Sequence, residues 1–145
     1  MAEIVERAVG VDLSEAMIER ARMLAGDLPN VSFEVADAGK LLFEDGEFTT
    51  VLCTTSFHHY PDPEAAAREM ARVLAPDGRI AIGDGVTDRI LARVVDGLNR
   101  AFDSGHVRMY RVAELAGFLH LAGFRKVAWK RLVRGGYAIV RGTKR

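Results

Sequence analysis

The chain has 145 residues, 49% of them hydrophobic and 28% charged, with twenty basic and twenty acidic side chains. These figures describe one ordinary globular domain, long enough to bury roughly 68–70% of its extended-chain surface. They exclude a transmembrane helix, since no apolar run approaches about 18 residues, and a disulfide framework, since Cys53 is the only cysteine. No secretory signal pattern opens the chain, and a lone thiol in an apolar strand predicts a cytoplasmic protein with no membrane partner.

Ala8 to Leu13 is an apolar strand that reaches an acid, Asp12, with a helix directly behind it. That is the pattern of the second strand of a Rossmann-like unit, where a carboxylate meets ribose hydroxyls. The first strand and its G-x-G turn belong about 20 residues upstream of that acid, and residues 1–7 hold no glycine. Glu15 to Leu24 reads as a helix capped by Ser14, with Ile18, Ala21 and Leu24 as its inward face. Val31 to Val35 alternates apolar and polar residues, a half-buried strand leading to Ala36-Asp37. Phe48 to Thr54 is a buried strand rich in β-branched residues. Asp62 and Pro63 are the N-cap and first residue of the next helix, with Ala66, Met70, Val73 and Leu74 inward. Pro76-Asp77-Gly78 reads as its stop, and Arg79 to Gly83 as the following strand.

Thr87 to Phe102 is predicted helical, with Ile90, Leu91, Val94, Val95 and Leu98 inward. Val112 to Leu121 is another helix, closed by Gly123. Lys126 to Val133 and Tyr137 to Gly142 flank the turn Arg134-Gly135-Gly136. Alternating strands and helices followed by a hairpin predict an α/β fold: a Rossmann-like, mostly parallel sheet with a C-terminal antiparallel hairpin, its first strand missing. One domain is expected to span 1–145.

No acidic residue follows Glu114, whereas Arg125, Lys126, Lys130, Arg131, Arg134, Arg141, Lys144 and Arg145 lie in the last stretch. Such asymmetry is compatible with a nucleic-acid partner. Only Trp129 and Tyr137 interleave aromatic rings with these cations, which favours the solvated face of a hairpin over an RNA surface.

Three stretches carry a family resemblance: VGVDLSEAMIERAR (Val9 to Arg22), VSFEVADAGKL (Val31 to Leu41) and, most specific, SFHHYPDPEAAAREMARVLAPDGRIAI (Ser56 to Ile82). HVRMY (His106 to Tyr110) and ELAGFLHLAGF (Glu114 to Phe124) fit as well. The chain resembles a class I S-adenosylmethionine-dependent methyltransferase of the small-molecule or quinone-methylating type. The resemblance covers nearly all of these residues and about three-quarters of the family domain, in which strand order is 3-2-1-4-5-7-6. With strand one absent, Ala8–Leu13 and Phe48–Thr54 are expected to close up and pair, giving 3-2-4-5-7-6. The alternative is a strand from a second copy in the gap, a homodimer.

The resemblance implies roles for residues at matching positions. Asp12, with its neighbour Leu13, would meet the ribose diol, because a carboxylate accepts and does not donate. Met17 would pack near adenine, although a core methionine is an equal alternative. Asp37 and Ala38 would meet adenine through a carboxylate and a backbone N–H; a turn aspartate is the alternative. Thr54 would present its backbone to the methionine amine. The cofactor implied is S-adenosyl-L-methionine, with S-adenosylhomocysteine as product. His58, His59, His106 and Tyr110 are candidates to line the pocket of a small-molecule acceptor. Adjacent His58 and His59 point apart, so no metal site is expected. No catalytic base is read, and methyl transfer needs in-line positioning above all.

The family pattern is broken in places. Thr49 stands where aspartate is usual, and Arg111-Val112 replaces a capping serine and proline. Gly83-Asp84-Gly85 and Gly135-Gly136 lie in the wrong places to replace the glycine loop. Two or three lost charge-assisted hydrogen bonds cost about 3–9 kcal/mol, against about 8 kcal/mol for a micromolar site. Three functions therefore stand open: a methyltransferase with impaired transfer, a non-catalytic binding module of the same fold, and an RNA-binding relative.

Overall fold

The computed structural model describes residues 5–88, 93, 95–99, 107–132 and 136–145. Strand β1 (Ala8–Asp12) runs parallel to β2 (Val31–Val35), in register from Ala8↔Val31 to Asp12↔Val35. Gly10 sits opposite Phe33, and a Cβ there would come within 2.7 Å of the ring. Helix α1 (Glu15–Ala25) connects them, with the Ser14 hydroxyl accepting from Met17 N–H as the cap. Ile18 is buried, but Leu24 is 79% exposed, contrary to the inward face expected of it. Six residues at 3.6 per turn rotate a side chain about 120° away from Ile18, and the narrow contact with the small sheet does not reach that far.

Strand β3 (Phe48–Thr54) runs parallel to β4 (Leu74–Gly85), with Thr50↔Arg79 through Thr54↔Gly83 in register. Helix α2 (Pro63–Val73) joins them; Asp62 Oδ1 accepts from Ala65 N–H at 2.8 Å, as expected of its cap. The Pro76-Asp77-Gly78 stop takes a different form. The helix ends at Val73, β4 begins at once, and these residues form a bulge between the pairs Phe48↔Leu74 and Thr50↔Arg79. Asp77 supplies the turn with φ 60°, a region asparagine and aspartate tolerate.

Helix α3 (Val112–Leu121) precedes β5 (Arg125–Leu132) and β6 (Tyr137–Thr143), which form the expected antiparallel hairpin. Of its turn, Arg134 and Gly135 lie outside the described residues. β6 also pairs antiparallel with β4. Phe57, Met70, Leu74, Ile80, Ile82, Leu115, Leu119 and Val140 are core residues between this sheet and helices α2 and α3.

The sheet does not close up as expected. Strands order as β1-β2 in one sheet and β3-β4-β6-β5 in another, with no ladder between β1 and β3 among the described residues. The crossover from β2 to β3 is pinned to α2: Arg72 donates to the carbonyls of Leu41 and Phe43, and Leu41 N–H donates to Glu69. The small sheet thus stands at the spacing that crossover sets. Val11 of β1 and Leu52 of β3 are left 38% and 51% exposed, high for apolar residues of parallel strands.

Of the predicted Thr87–Phe102 helix, Thr87 and Asp88 are described and are not helical, residue 93 and residues 95–99 are helical, and Ile90, Leu91 and Val94 lie outside the described residues. There the expected face is reversed. Val95 and Leu98 are exposed, while Asp96 is buried and accepts from Met109 N–H at 2.7 Å. An unpaired backbone donor outweighs an apolar contact at that position.

Candidate functional site

Polar residues stand at or beside the C-terminal ends of β1, β2, β3 and β4: Asp12, Asp37, Thr54 and Asp84. Asp12 is the last residue of β1, and Ala36 N–H donates to its carbonyl at 3.0 Å, which brings the ends of β1 and β2 together. Asp37 follows one residue later. Both carboxylates lie on exposed residues, and each has one oxygen held locally: Asp12 Oδ1 by Ser14 N–H and Asp37 Oδ1 by Gly39 N–H, both at 2.8 Å. Those bonds are Asx turns, so the turn reading of Asp37 describes its local geometry. They also orient the second oxygen of each carboxylate, which keeps its acceptor capacity.

Leu13 and Met17 are 74% and 53% exposed, and Ala38 packs against the core. Thr54 is exposed at the end of β3. The next residue, Thr55, has φ 52°, a strained conformation for a β-branched side chain. It is held there by Thr55 N–H donating to Gly83 O at 2.7 Å and by a 3.3 Å contact of its hydroxyl with Tyr137. Gly83 accommodates that tyrosine, since a Cβ would lie 2.8 Å from its hydroxyl.

A short 3₁₀ turn, Phe57–His59, follows β3. Phe57 is fully buried and anchors it among Tyr60, Tyr110 and Phe118. His58 Nδ1 then lies 2.7 Å from Oδ1 of Asp84, a carboxylate only 1% exposed at the end of β4. His58 N–H donates to Asp84 Oδ2 at 3.0 Å, and Gly85 N–H to Oδ1 at 2.7 Å. His59 is exposed, its ring 4.0 Å from that of His58 between centroids. Tyr110 is 5% exposed within the aromatic cluster, so it supports the wall rather than facing an open pocket. His106 lies outside the described residues.

Two residues of this rim were missed in the sequence. Asp84 carries the same signal as Asp12, an apolar strand ending on an acid, but it is masked by flanking glycines. Tyr60 reads only as the residue before a proline. In the fold its hydroxyl accepts from Ser56 Oγ at 3.1 Å and lies 3.5 Å from Cys53 Sγ. Burial pushes the Tyr60 hydroxyl well above its ordinary pKa, with the negative charge of Asp12 a smaller contribution in the same direction.

A polar cavity of about 530 Å³ opens farther along, lined by Thr87, Arg93, Asp96, Arg108, Arg111 and Glu114 among others. Neither Asp12, Asp37 nor Thr54 borders it. Among the described residues, no group of three or more histidine, cysteine or acidic side chains could hold a metal. No described helix is long and apolar enough to cross a membrane.

Residues 1–82 match the family model described as a methyltransferase domain. The chain belongs to that family. YcgJ of Bacillus subtilis (strain 168), described as an uncharacterized methyltransferase, is 37% identical over 114 residues, 76% of this chain and 45% of that protein. The 27-O-demethylrifamycin SV methyltransferase of Amycolatopsis mediterranei is 44% identical over 78 residues, 52% of this chain and 29% of its own length. The methyltransferase domain described here thus spans less than half of either relative. Its fold is that of the YcgJ crystal structure, with a TM-score of 0.85 and 24% identity across 99% of this chain and 85% of that one. A SAM-dependent methyltransferase from Thermotoga maritima follows at a TM-score of 0.82, 24% identity, 94% of this chain and 72% of that chain. These likenesses bear out the class I methyltransferase resemblance and the Rossmann-like α/β fold.

Proposed function

We propose that this methyltransferase domain transfers a methyl group from S-adenosyl-L-methionine to a small-molecule acceptor at the rim formed by the strand ends. The observation that carries the reading is the meeting of Asp12 and Asp37 at adjacent ends of β1 and β2, each with an acceptor oxygen left over. Ligands of open α/β sheets bind at the carboxyl ends of strands.

The donor set fits an adenosine. Asp12 would accept from the ribose hydroxyls and Asp37 from the adenine amine, with the Ala38 N–H and the Leu13 and Met17 side chains beside the base. Thr54 would meet the methionine amine through its backbone. The cofactor, when bound, supplies an electrophilic methyl group on a sulfonium. The chain supplies orientation: strand ends fixed by the β1–β2 and β3–β4 registers, and a floor of buried aromatic rings that excludes water on one side.

The recognition is uneven. Adenosine has two carboxylates to meet, whereas the slot between β1 and β3 holds no described segment to grip the methionine end. The basic C-terminal strands give the RNA reading no comparable support: Arg125 pairs with Asp77, Arg131 with Asp88, and Lys144 caps the Leu74 carbonyl.

Isothermal titration with S-adenosylhomocysteine tests the reading. Asp12→Ala and Asp37→Ala should each weaken binding at least about tenfold, the loss of one hydrogen bond to a charged group at about 1.5–3 kcal/mol. Adenosine should compete nearly as well as the full cofactor. Affinities within twofold of the parent for both variants would reject the assignment. A hundredfold preference for S-adenosylmethionine over adenosine would show that the methionine end is held after all.

A further inference from the structure

The polar cavity of about 530 Å³ beside Thr87 has the size of a small-molecule site. Three of its lining residues are arginines, Arg93, Arg108 and Arg111, against two acids, Asp96 and Glu114. Both acids are engaged locally. Glu114 Oε1 accepts from Arg108 Nη2, its Oε2 accepts from Arg111 N–H at 2.8 Å, and Asp96 Oδ1 accepts from Met109 N–H at 2.7 Å. The arginines keep donors to spare, because a guanidinium carries several N–H groups in a fixed fork. Arg93 commits Nε to the Thr87 carbonyl at 3.2 Å, and Arg108 commits Nη2 to Glu114. The Arg111 guanidinium meets no acceptor among the described residues.

Arg111 stands at the N-cap of α3. That position favours a serine, threonine or aspartate that accepts from the first turn, and the positive end of the helix dipole repels a cation. Helix stability therefore gives no reason for an arginine there. Asp88, beside the same helix end, already accepts from Val112 N–H and from Arg131, both at 3.0 Å. Arg108 is held in place as well. Its guanidinium lies 5.1 Å from the centroid of the Tyr110 ring, and buried Tyr110 is bridged to Val86 just past β4.

An oxyanion in this cavity would meet forked guanidinium donors and offset the repulsion between Arg111 and the helix end. Among the described lining residues, three guanidiniums against two carboxylates leave one positive charge. A monoanion balances that charge and a dianion exceeds it. The cavity wall also joins the turn that follows Thr54, since Val107 and Arg108 N–H donate to the His58 carbonyl at 3.2 and 3.0 Å. Neither Asp12, Asp37 nor Thr54 borders the cavity. It is therefore placed to hold a part of the acceptor remote from the transferred methyl, where binding positions the reacting atom. We propose that this cavity receives a carboxylate carried by the methyl acceptor, with Arg111 and Arg108 as specificity-determining residues and Arg93 completing the donor set. Resting on the methyltransferase reading above, this assignment narrows its acceptor to monoanionic small molecules.

The test uses the whole chain and three probes that share one ring and differ in charge: benzoate, benzyl alcohol and phenyl phosphate. At pH 7 the last is mostly a dianion. In ¹H–¹⁵N spectra of the arginine side chains, benzoate should shift the Nε resonances of Arg111 and Arg108. It should bind at least about tenfold more tightly than benzyl alcohol, and no more weakly than phenyl phosphate. It should bind the S-adenosylhomocysteine complex as well as the free chain, within twofold. Arg111→Ser should weaken benzoate about tenfold, leave S-adenosylhomocysteine affinity within twofold, and hold or raise Tm, because serine caps the helix. Arg108→Gln should weaken benzoate in the same sense. Arg141→Ser, at an exposed arginine outside the cavity, is the control and should change nothing. Benzoate that leaves the arginine resonances unmoved, displaces S-adenosylhomocysteine, binds no tighter than benzyl alcohol or binds more weakly than phenyl phosphate overturns the assignment. So does Arg111→Ser that binds benzoate like the parent, or that loses stability together with binding, which would make Arg111 a structural residue. A parent that fails to bind S-adenosylhomocysteine defeats the methyltransferase reading instead, and the benzoate titrations still decide whether the cavity takes a carboxylate.

Discussion

Arg72 grips Glu69 through two parallel hydrogen bonds, Nε to Oε1 and Nη2 to Oε2, both 2.8 Å. The same guanidinium reaches the carbonyls of Leu41 and Phe43 and the carboxylate of Asp45. One side chain on α2 therefore holds the crossover that carries the small β1–β2 sheet. With the Arg72 side chain 30% exposed, solvent screens part of each bond. Arg72→Met should cost about 1.5–3 kcal/mol, the value of one charged hydrogen bond after that discount. Arg72→Lys should recover less than half, because an ammonium cannot reproduce the fork. Urea unfolding of the three proteins measures this; a methionine variant within 0.5 kcal/mol, roughly the scatter of surface substitutions, would show that the crossover needs no such clasp.

The same pair makes stability depend on pH. The hydrogen bond from Arg72 holds the Glu69 carboxyl below its ordinary value of 4.5. A lowered folded-state pKa contributes stability above the unfolded value and loses it as pH falls through the folded one. The stability difference between parent and Glu69→Gln should thus be constant from pH 7 to about 5.5 and shrink below about 4.5. Denaturant melts at several pH values would show the trend; a difference that widens on acidification contradicts the pairing.

Cys53 should be inert in the folded protein. Burial pushes its thiol up to about 11, even though Tyr60 offers a hydrogen bond that pulls the other way. At pH 8 that leaves only about 0.1% thiolate, and the thiolate is the reactive form. Reaction with a thiol-specific disulfide reagent should be at least about a hundredfold slower in native protein than in urea. Rapid native labelling would mean that β3 opens far more readily than its burial implies.

Gly78 should resist substitution. A Cβ there would lie 2.7 Å from the Ala75 carbonyl oxygen and 3.0 Å from Leu74 Cδ2, contacts that a backbone atom cannot easily give up. Gly78→Ala should destabilise by about 1–3 kcal/mol, the usual cost of overpacking. Gly97→Ala, with open space around its Cβ, is the control and should be neutral or stabilising. Thermal melts that rank the two the other way would refute the bulge geometry.

The sequence by itself determined most of the elements and several of their ends, though the stop read at Pro76-Asp77-Gly78 lies inside β4. Ser14, Asp62 and Pro63 start helices where capping chemistry says they should, and Val31–Val35 and Val112–Leu121 begin and end as read. These are local properties, decided by hydrogen bonds and side-chain periodicity within a few residues. The placement of Asp12, Asp37 and Thr54 at or beside strand ends was legible for the same reason: a strand ending on a polar residue is a local pattern. What only the tertiary structure decided was how the elements meet. The gap between β1 and β3 depends on a crossover pinned to α2 from Leu41 to Asp45. The outward turn of Leu24 depends on how little sheet lies above α1. The inward turn of Asp96 depends on Met109 N–H, a donor thirteen residues away. Asp84 meets His58 only because β3 and β4 run parallel in the register Thr54↔Gly83, so that two strand ends twenty-six residues apart in sequence arrive at the same rim. Long-range pairing of this kind leaves no periodicity in the chain, because neither residue's neighbours record what the other strand brings.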